Sequence, residues 1–445
     1  MPNFSASRAI SSRIDAENLG LSPPLVTVQK FIVHIYTEWY TNGFQKDIYY
    51  LEKLNKKVFA VLFFSIFASI TGVGIVVPLL PVYAHDLGAG GLYIGFIFGA
   101  VSLSRTFLLP YFGRLSDRKG RKPFIVAGLL GYALISIGFL FANNIGALIG
   151  VRFIQGIASA MIMPVALAYV GDITPAGREG FVMGLFNMSL FIGLSVGPLG
   201  GGVINDCFSL QTAFVCMGFL ALVGFLLALF LLPPTKSEQV VCRKSYPAAW
   251  KRILKDRVIT GLILFRLSYT VCIGIIWGFL PVLADSEFSL SSSLIGLLVM
   301  LGVFISGMIH VPMGFLADRV NKKMMIVIGG LVVTCSMFSY EWANSFKDLL
   351  LASFFFGIGG GISMPALMAL AVLKGDKAEA MGSVMALITM AHSMGILIGV
   401  LIAGLMMDIF QLRYAFPAGA IIMALGVGLF LVCTHYQEER RPRQI

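Results

Sequence analysis

Five ionisable side chains interrupt long apolar stretches of this 445-residue chain: Arg105, Arg152, Arg266, His310 and His392. A charge at such a place is costly and reads first as functional. Arginine does not titrate, so it acts as a fixed cation. Its guanidinium fork binds carboxylate or phosphate bidentately. If Arg105 and Arg266 face one cavity, that cavity favours an anionic or zwitterionic substrate. Pairing with backbone carbonyls, or snorkelling towards a membrane face, is the competing account. It suits Arg266 better, which lies only eight residues into its apolar run. His392 is the deep side chain whose ordinary pKa lies near neutrality. It is a candidate proton carrier, set against a packed neutral histidine. His310, one turn before Gly314, reads as structural. Asn187, Tyr269 and Trp277, with Tyr132, can offer a substrate polar or stacking contacts. No Asp or Glu lies near the middle of any apolar run. Neither proton antiport nor a cationic substrate therefore has a buried acid to rely on.

The elements that must position these residues are membrane helices. The chain is 58% hydrophobic and 12% charged, where a soluble domain has about 25% charged residues. A run of about 20 mostly apolar residues spans a bilayer. Twelve such spans are predicted, at 58–83, 92–112, 123–141, 145–170, 181–204 and 212–232, then 258–284, 293–313, 324–342, 348–373, 380–407 and 413–434. The expected fold is an all-α membrane protein of twelve transmembrane helices in two pseudo-twofold-related six-helix bundles. Residues 1–50 read as a weakly ordered cytoplasmic tail. Residues 51–232 form the N-terminal bundle, 233–257 a cytoplasmic linker, 258–434 the C-terminal bundle and 435–445 a C-terminal tail. The first 50 residues lack the regions of a signal peptide; a true start near residue 51 is the other reading.

A net charge of +11 could suggest nucleic acid, but the basic residues sit in short loops between spans. Residues 113–122, G-R-L-S-D-R-K-G-R-K, hold five of them. Loops on this side of the membrane carry 24 Lys and Arg, and those on the opposite side carry 2. The positive-inside rule then puts both termini in the cytoplasm of a multi-pass cell-membrane protein. The six cysteines form no C-x-x-C pair, and four lie in apolar runs, which argues against a disulfide framework or metal site. No phosphate-binding G-x-x-x-x-G-K-[ST] loop occurs. The reading is therefore not an enzyme, with no cofactor, no metal and no nucleic-acid partner.

The halves repeat. Gly95, Gly113, Asp117, Arg118, Gly156 and Pro164 recur 201 positions on as Gly296, Gly314, Asp318, Arg319, Gly357 and Pro365. Gly193, Gly197, Asp206 and Phe214 recur 202 positions on as Gly395, Gly399, Asp408 and Phe416. One register held over this distance marks an internal duplication. Two parallel six-span halves imply an axis along the membrane normal, with a substrate site between them at mid-depth.

The stretch 113–122 resembles the signature of the major facilitator superfamily, and G-F-L-A-D-R-V-N-K-K at 314–323 is its weaker copy. Pro78-Leu-Leu-Pro81, Arg152-Phe-Ile-Gln-Gly156 and Gly193-Leu-Ser-Val-Gly197-Pro198-Leu-Gly-Gly201 resemble the twelve-span drug:proton antiporter branch. The resemblance implies a cytoplasmic gate of Gly113, Asp117, Arg118, Gly120, Arg121, Asp318 and Arg319. In it, Asp117 meets the positive start of span 11 when the carrier faces outward, and Gly113 lets span 2 approach a neighbour. The resemblance also links Arg152 to proton coupling, beside His392. Gly193, Gly197 and Gly201 share one helical face and Pro198 adds a bend, so span 5 is expected to seal against span 8. Arg105 stands where tetracycline-type exporters carry glutamine. The expected function is secondary transport by alternating access: proton-coupled export of small hydrophobic or amphiphilic compounds by a monomer in the bilayer. A carrier of organic anions or lysolipid-like amphiphiles without proton antiport is the alternative, and a non-transporting receptor on this fold is the third reading.

Overall fold

The computed structural model describes residues 55–174, 179–234, 253–377 and 381–439. The tail 1–50, the body of the linker 233–257 and residues 440–445 lie outside the described residues. Twelve helices here are long and apolar enough to cross a membrane, and the described residues hold no strand. They are α1 (Lys56–Asp86), α2 (Gly91–Lys119), α3 (Lys122–Phe141), α4 (Ile145–Ile173), α5 (Glu179–Cys207) and α6 (Leu210–Leu231), then α7 (Arg257–Ser286), α8 (Ser292–Arg319), α9 (Lys322–Ser339), α10 (Phe346–Lys377), α11 (Met381–Ile409) and α12 (Ala415–Glu439).

In hydrocarbon every backbone polar group must be satisfied within the segment, so the spans are helical. Side-chain oxygens cap several starts: Asn144 accepts from the Ala147 N–H, Ser209 from Thr212 and Asp256 from Val258. The helices outrun the apolar runs that predicted them. α2 has 29 residues, about 43 Å at 1.5 Å per residue, against roughly 30 Å of hydrocarbon. The predicted loop at 113–119 is therefore the last two turns of α2, and the helix stops only at Gly120, whose φ of 89° favours glycine. Its copy on α8 is helical through Arg319. Arg, Lys and Leu are good helix formers, so leaving the apolar zone does not end the helix.

The duplication is visible in the packing. Phe139 stacks on Phe214 with ring centroids 5.0 Å apart, and Tyr340 stacks on Phe416, also at 5.0 Å; these are repeat-related pairs. A Cβ on Gly156 would press on Val101 of α2, and one on Gly357 would press on Gly302 of α8. The halves meet along α2 with α11 and α5 with α8, two contacts that the repeat exchanges.

The glycine face of α5 packs elsewhere than expected. Cβ atoms at Gly193, Gly197 and Gly201 would fall 3.1 Å from the Phe67 carbonyl oxygen, 2.6 Å from the Thr71 carbonyl oxygen and 2.8 Å from Ile75 Cα. These residues let α1 and α5 touch backbone to backbone within the N-terminal half. The Pro198 carbonyl and Gly202 meet α8 instead, at Gly296 and Ser292. Likewise a Cβ on Gly113 or Gly314 would meet nothing within 4 Å. The close approach of α2 to its neighbour runs through Gly91, Gly95 and Gly99 against α11.

Candidate functional site

Between the halves, at mid-depth, lies a cationic centre. Arg105 is the fifteenth of 29 residues of α2, so about 21 Å of helix separates it from either end. Its guanidinium is half-buried and makes no hydrogen bond or ion pair to the described residues; its Nε is buried and unpartnered. Arg266 of α7, in the other half, is joined to His392 of α11, and α2 runs antiparallel to α11 with Gly95 against Val400 and Gly99 against Leu397, a register that brings Arg105 level with this pair. One Arg266 nitrogen donates to His392 Nδ1 of α11 at 3.3 Å, another reaches the Met364 sulfur of α10, and its Nε is also unpartnered. Arg105 and Arg266 both lie close enough to act electrostatically on His392. Arg266 acts in the same way on His310. That histidine has a buried, unpartnered Nδ1 and its ring sits 5.3 Å from Phe191 of α5. His310, expected to be structural, thus belongs to the charged group.

Arg152 is held differently. It is 4% exposed, donates to Gln155 Oε1 at 2.7 Å and lies 4.6 Å over the Phe98 ring. Tyr132, 3% exposed, stands between Arg105 and Arg152. Of the other predicted cavity residues, Tyr269 is buried and stacked on Phe356 at 5.8 Å. Trp277 is half-buried and Asn187 is exposed on α5.

No carboxylate joins this centre among the described residues. Asp117 and Asp172 are both on Arg121, Asp172 at 3.1 Å. Asp256 holds Lys374 at 2.9 Å, and Glu287 holds Arg413. Arg121 is 5% exposed and also donates to Ser116 Oγ at 2.9 Å. The predicted gate residue Asp117 is thus held within its own half rather than at the start of α11. Gly120 makes the turn that brings Arg121 back onto Asp117. Arg118 and Arg319 are exposed in the last turns of α2 and α8; the Asp318 side chain lies outside the described residues. Beside Arg118 a cleft of about 450 Å³ runs along α2, lined by Phe107, Pro110, Tyr111, Arg114 and Leu115.

The opposite end is sealed by two carboxylates that the sequence offered only as repeat positions. Asp408, at the end of α11, accepts from the Gly91 and Leu92 N–H groups at 2.6 and 2.8 Å. Asp206, at the end of α5, accepts from the Ser292 and Ser293 N–H groups at 3.0 and 2.8 Å and from the Ser293 hydroxyl. Each caps the first turn of a helix in the other half, where unpaired N–H groups and the helix dipole favour an anion. Asn205 adds a hydrogen bond to the Ser292 hydroxyl at 2.9 Å.

Two halves clasped at one end, with a charged centre between them, are the architecture of an alternating-access carrier. The family model described as Major Facilitator Superfamily matches residues 62–286 and 266–445. The chain belongs to the major facilitator superfamily. An uncharacterized MFS-type transporter of Methanocaldococcus jannaschii is 29% identical over 85% of this chain and 97% of its own length. Quinolone resistance protein NorA of Staphylococcus aureus is 28% identical over 84% and 95%. Among solved structures, a bacterial homologue of the human lysosomal transporter Spinster, inward-facing and occupied, matches with a TM-score of 0.74. It is 11% identical, with 88% of this chain and 99% of that one covered. The protein is a membrane transporter of this superfamily, similar to drug-resistance members such as NorA, and not an enzyme.

Proposed function

We propose that this transporter exports small hydrophobic or amphiphilic compounds from the cytoplasm by alternating access. The observation that carries the reading is the contrast between a clasped end, where Asp206 and Asp408 each cap a helix of the other half, and a basic end, where Asp117 is held within its own half. The 24-to-2 charge split supports placing the basic end, with both termini, in the cytoplasm. The cavity then opens inward, as an exporter loading substrate requires. The export direction draws on the likeness to NorA, whose name records quinolone resistance.

Exchange for protons is the further part of the proposal, and His392 is the side chain assigned to it, with Arg152 beside the N-terminal wall. A second reading, transport without proton antiport, is favoured by one contact. A guanidinium only donates hydrogen bonds, so His392 Nδ1 must accept from Arg266 and carries no proton there. Flux into inside-out proteoliposomes, with and without an imposed pH gradient, tests both. Proton antiport requires acceleration by an acidic interior in the wild type and its loss in H392Q, with downhill flux kept. Gradient-independent flux leaves the second reading, and absence of any flux removes the carrier.

A further inference from the structure

We propose that Arg105 and Arg266 together hold the anionic head of the transported compound, a carboxylate or a phosphate ester carried on an apolar body. The inference rests on the carrier reading above and names the substrate class for that same site.

Three observations converge on it. The first is a charge inventory. Arg105 of one half lies level with His392 by the α2–α11 register, and Arg266 of the other half donates to His392 Nδ1; both are fixed cations. Asp117, Asp172, Asp256 and Glu287 are tied to basic partners at the helix ends, and Asp206 and Asp408 to helix starts. Asp86, Asp285, Glu341 and Asp348 lie at helix ends on the clasped side, so no described carboxylate balances the centre. Two like charges facing each other across a closing gap repel, and the repulsion grows as water leaves. An anion placed between them turns that repulsion into attraction.

The second is an inventory of donors. A guanidinium offers five N–H groups. Arg105 spends none on the described protein, and Arg266 spends two, one of them on a thioether that is a weak acceptor. Leaving buried donors such as the two Nε–H groups without partners is unfavourable. Bidentate oxyanions are the ligands that match this geometry. Arg152 also keeps an unpartnered Nε, but it is 4% exposed behind Gln155 and the Phe98 ring, and it is not assigned to the ligand site.

The third is the surroundings. Phe191, Phe356, Met364 and Tyr269 stand around the Arg266 side of the centre. They offer apolar surface and few acceptors, so the body of the ligand is apolar while its head is charged. His392 and His310 flank the same point. They would tolerate an anion and reject a cation.

Equilibrium binding to the full chain in nanodiscs tests this without requiring transport. Three radiolabelled probes share one tail: dodecanoate, dodecyl phosphate and uncharged dodecanol. The expected result is tighter binding of at least one anionic probe than of dodecanol. R105Q and R266Q should each weaken that probe about tenfold or more while leaving dodecanol within twofold. Selective loss for dodecanoate or for dodecyl phosphate names the head group, and loss for both assigns the site to either. Equal wild-type affinity for all three probes, or equal loss for all three in R105Q, overturns the proposal. R105K, which keeps the charge, guards against a folding defect: it must retain the anion preference. The carrier reading fails on a separate measurement, the absence of flux in vesicles that still show this binding pattern.

Discussion

The two ends of the bundle use the same four helices and opposite arrangements. At the end away from the basic loops, Asp408 of α11 caps α2 and Asp206 of α5 caps α8, each across the boundary between halves. At the basic end the sequence places an aspartate in the last turn of α2, Asp117, and of α8, Asp318. There Asp117 is drawn back onto Arg121 of its own half. A helix that is capped at its start in one state therefore carries, at its finish, the carboxylate suited to cap its neighbour in the other. The lesson is that the clasped end is closed by carboxylates on helix starts, while the aspartate that α2 carries at the basic end is bound within its own half.

That comparison breaks most completely if the clasped end cannot close. Gly404→Leu would drive a side chain into the Gly91 backbone, and overpacking of this kind costs about 1–3 kcal/mol or more. We expect transport to fall tenfold or more, with an increased spin-label distance across this end; an unchanged distance would contradict the seal. Next comes removal of the two caps. Losing a helix cap costs about 0.5–2 kcal/mol, so D206A and D408A together should shift the population towards an outward opening by tenfold or more. Cysteine labelling from the outside reads this shift. Each single change should give roughly the square root of the double effect if the clasps act independently.

D117N sharpens the other half of the comparison. It should cut transport severalfold while membrane insertion stays intact, because the basic end loses its carboxylate but no span changes. Transport at the wild-type rate in vesicles would count against a gate there. The smallest effect is expected for S293A, which removes one of three donors to Asp206. It should change labelling less than loss of the whole Asp206 carboxylate does, since both backbone donors keep their acceptor.

Much of the fold was legible in the sequence. Hydropathy and repeat register are properties of consecutive residues, so the twelve spans and the duplication could be read directly. The predicted ends were short because apolar runs mark the membrane, not the helix, and α2 continues through Arg114 and Arg118 on helix propensity alone. The site was half legible. Arg105 and Arg266 stood out because arginine is rare in a span. His310 was read as structural from its place one turn before Gly314, and its packing on the Phe191 ring of α5 could not be read from that spacing. Asp206 and Asp408 were visible only as repeat partners, and nothing local told that their acceptors would be helix starts in the other half.

What the sequence by itself determined is the set of helices, their pairing into related halves and the lack of an acid to balance its buried arginines. Local composition decides these, since each apolar run must satisfy its own backbone in hydrocarbon. What only the tertiary structure decided is which charges meet and which end is clasped. Those depend on how each helix is turned about its axis and how the halves rock, and the same residues serve both states of a carrier at nearly equal free energy.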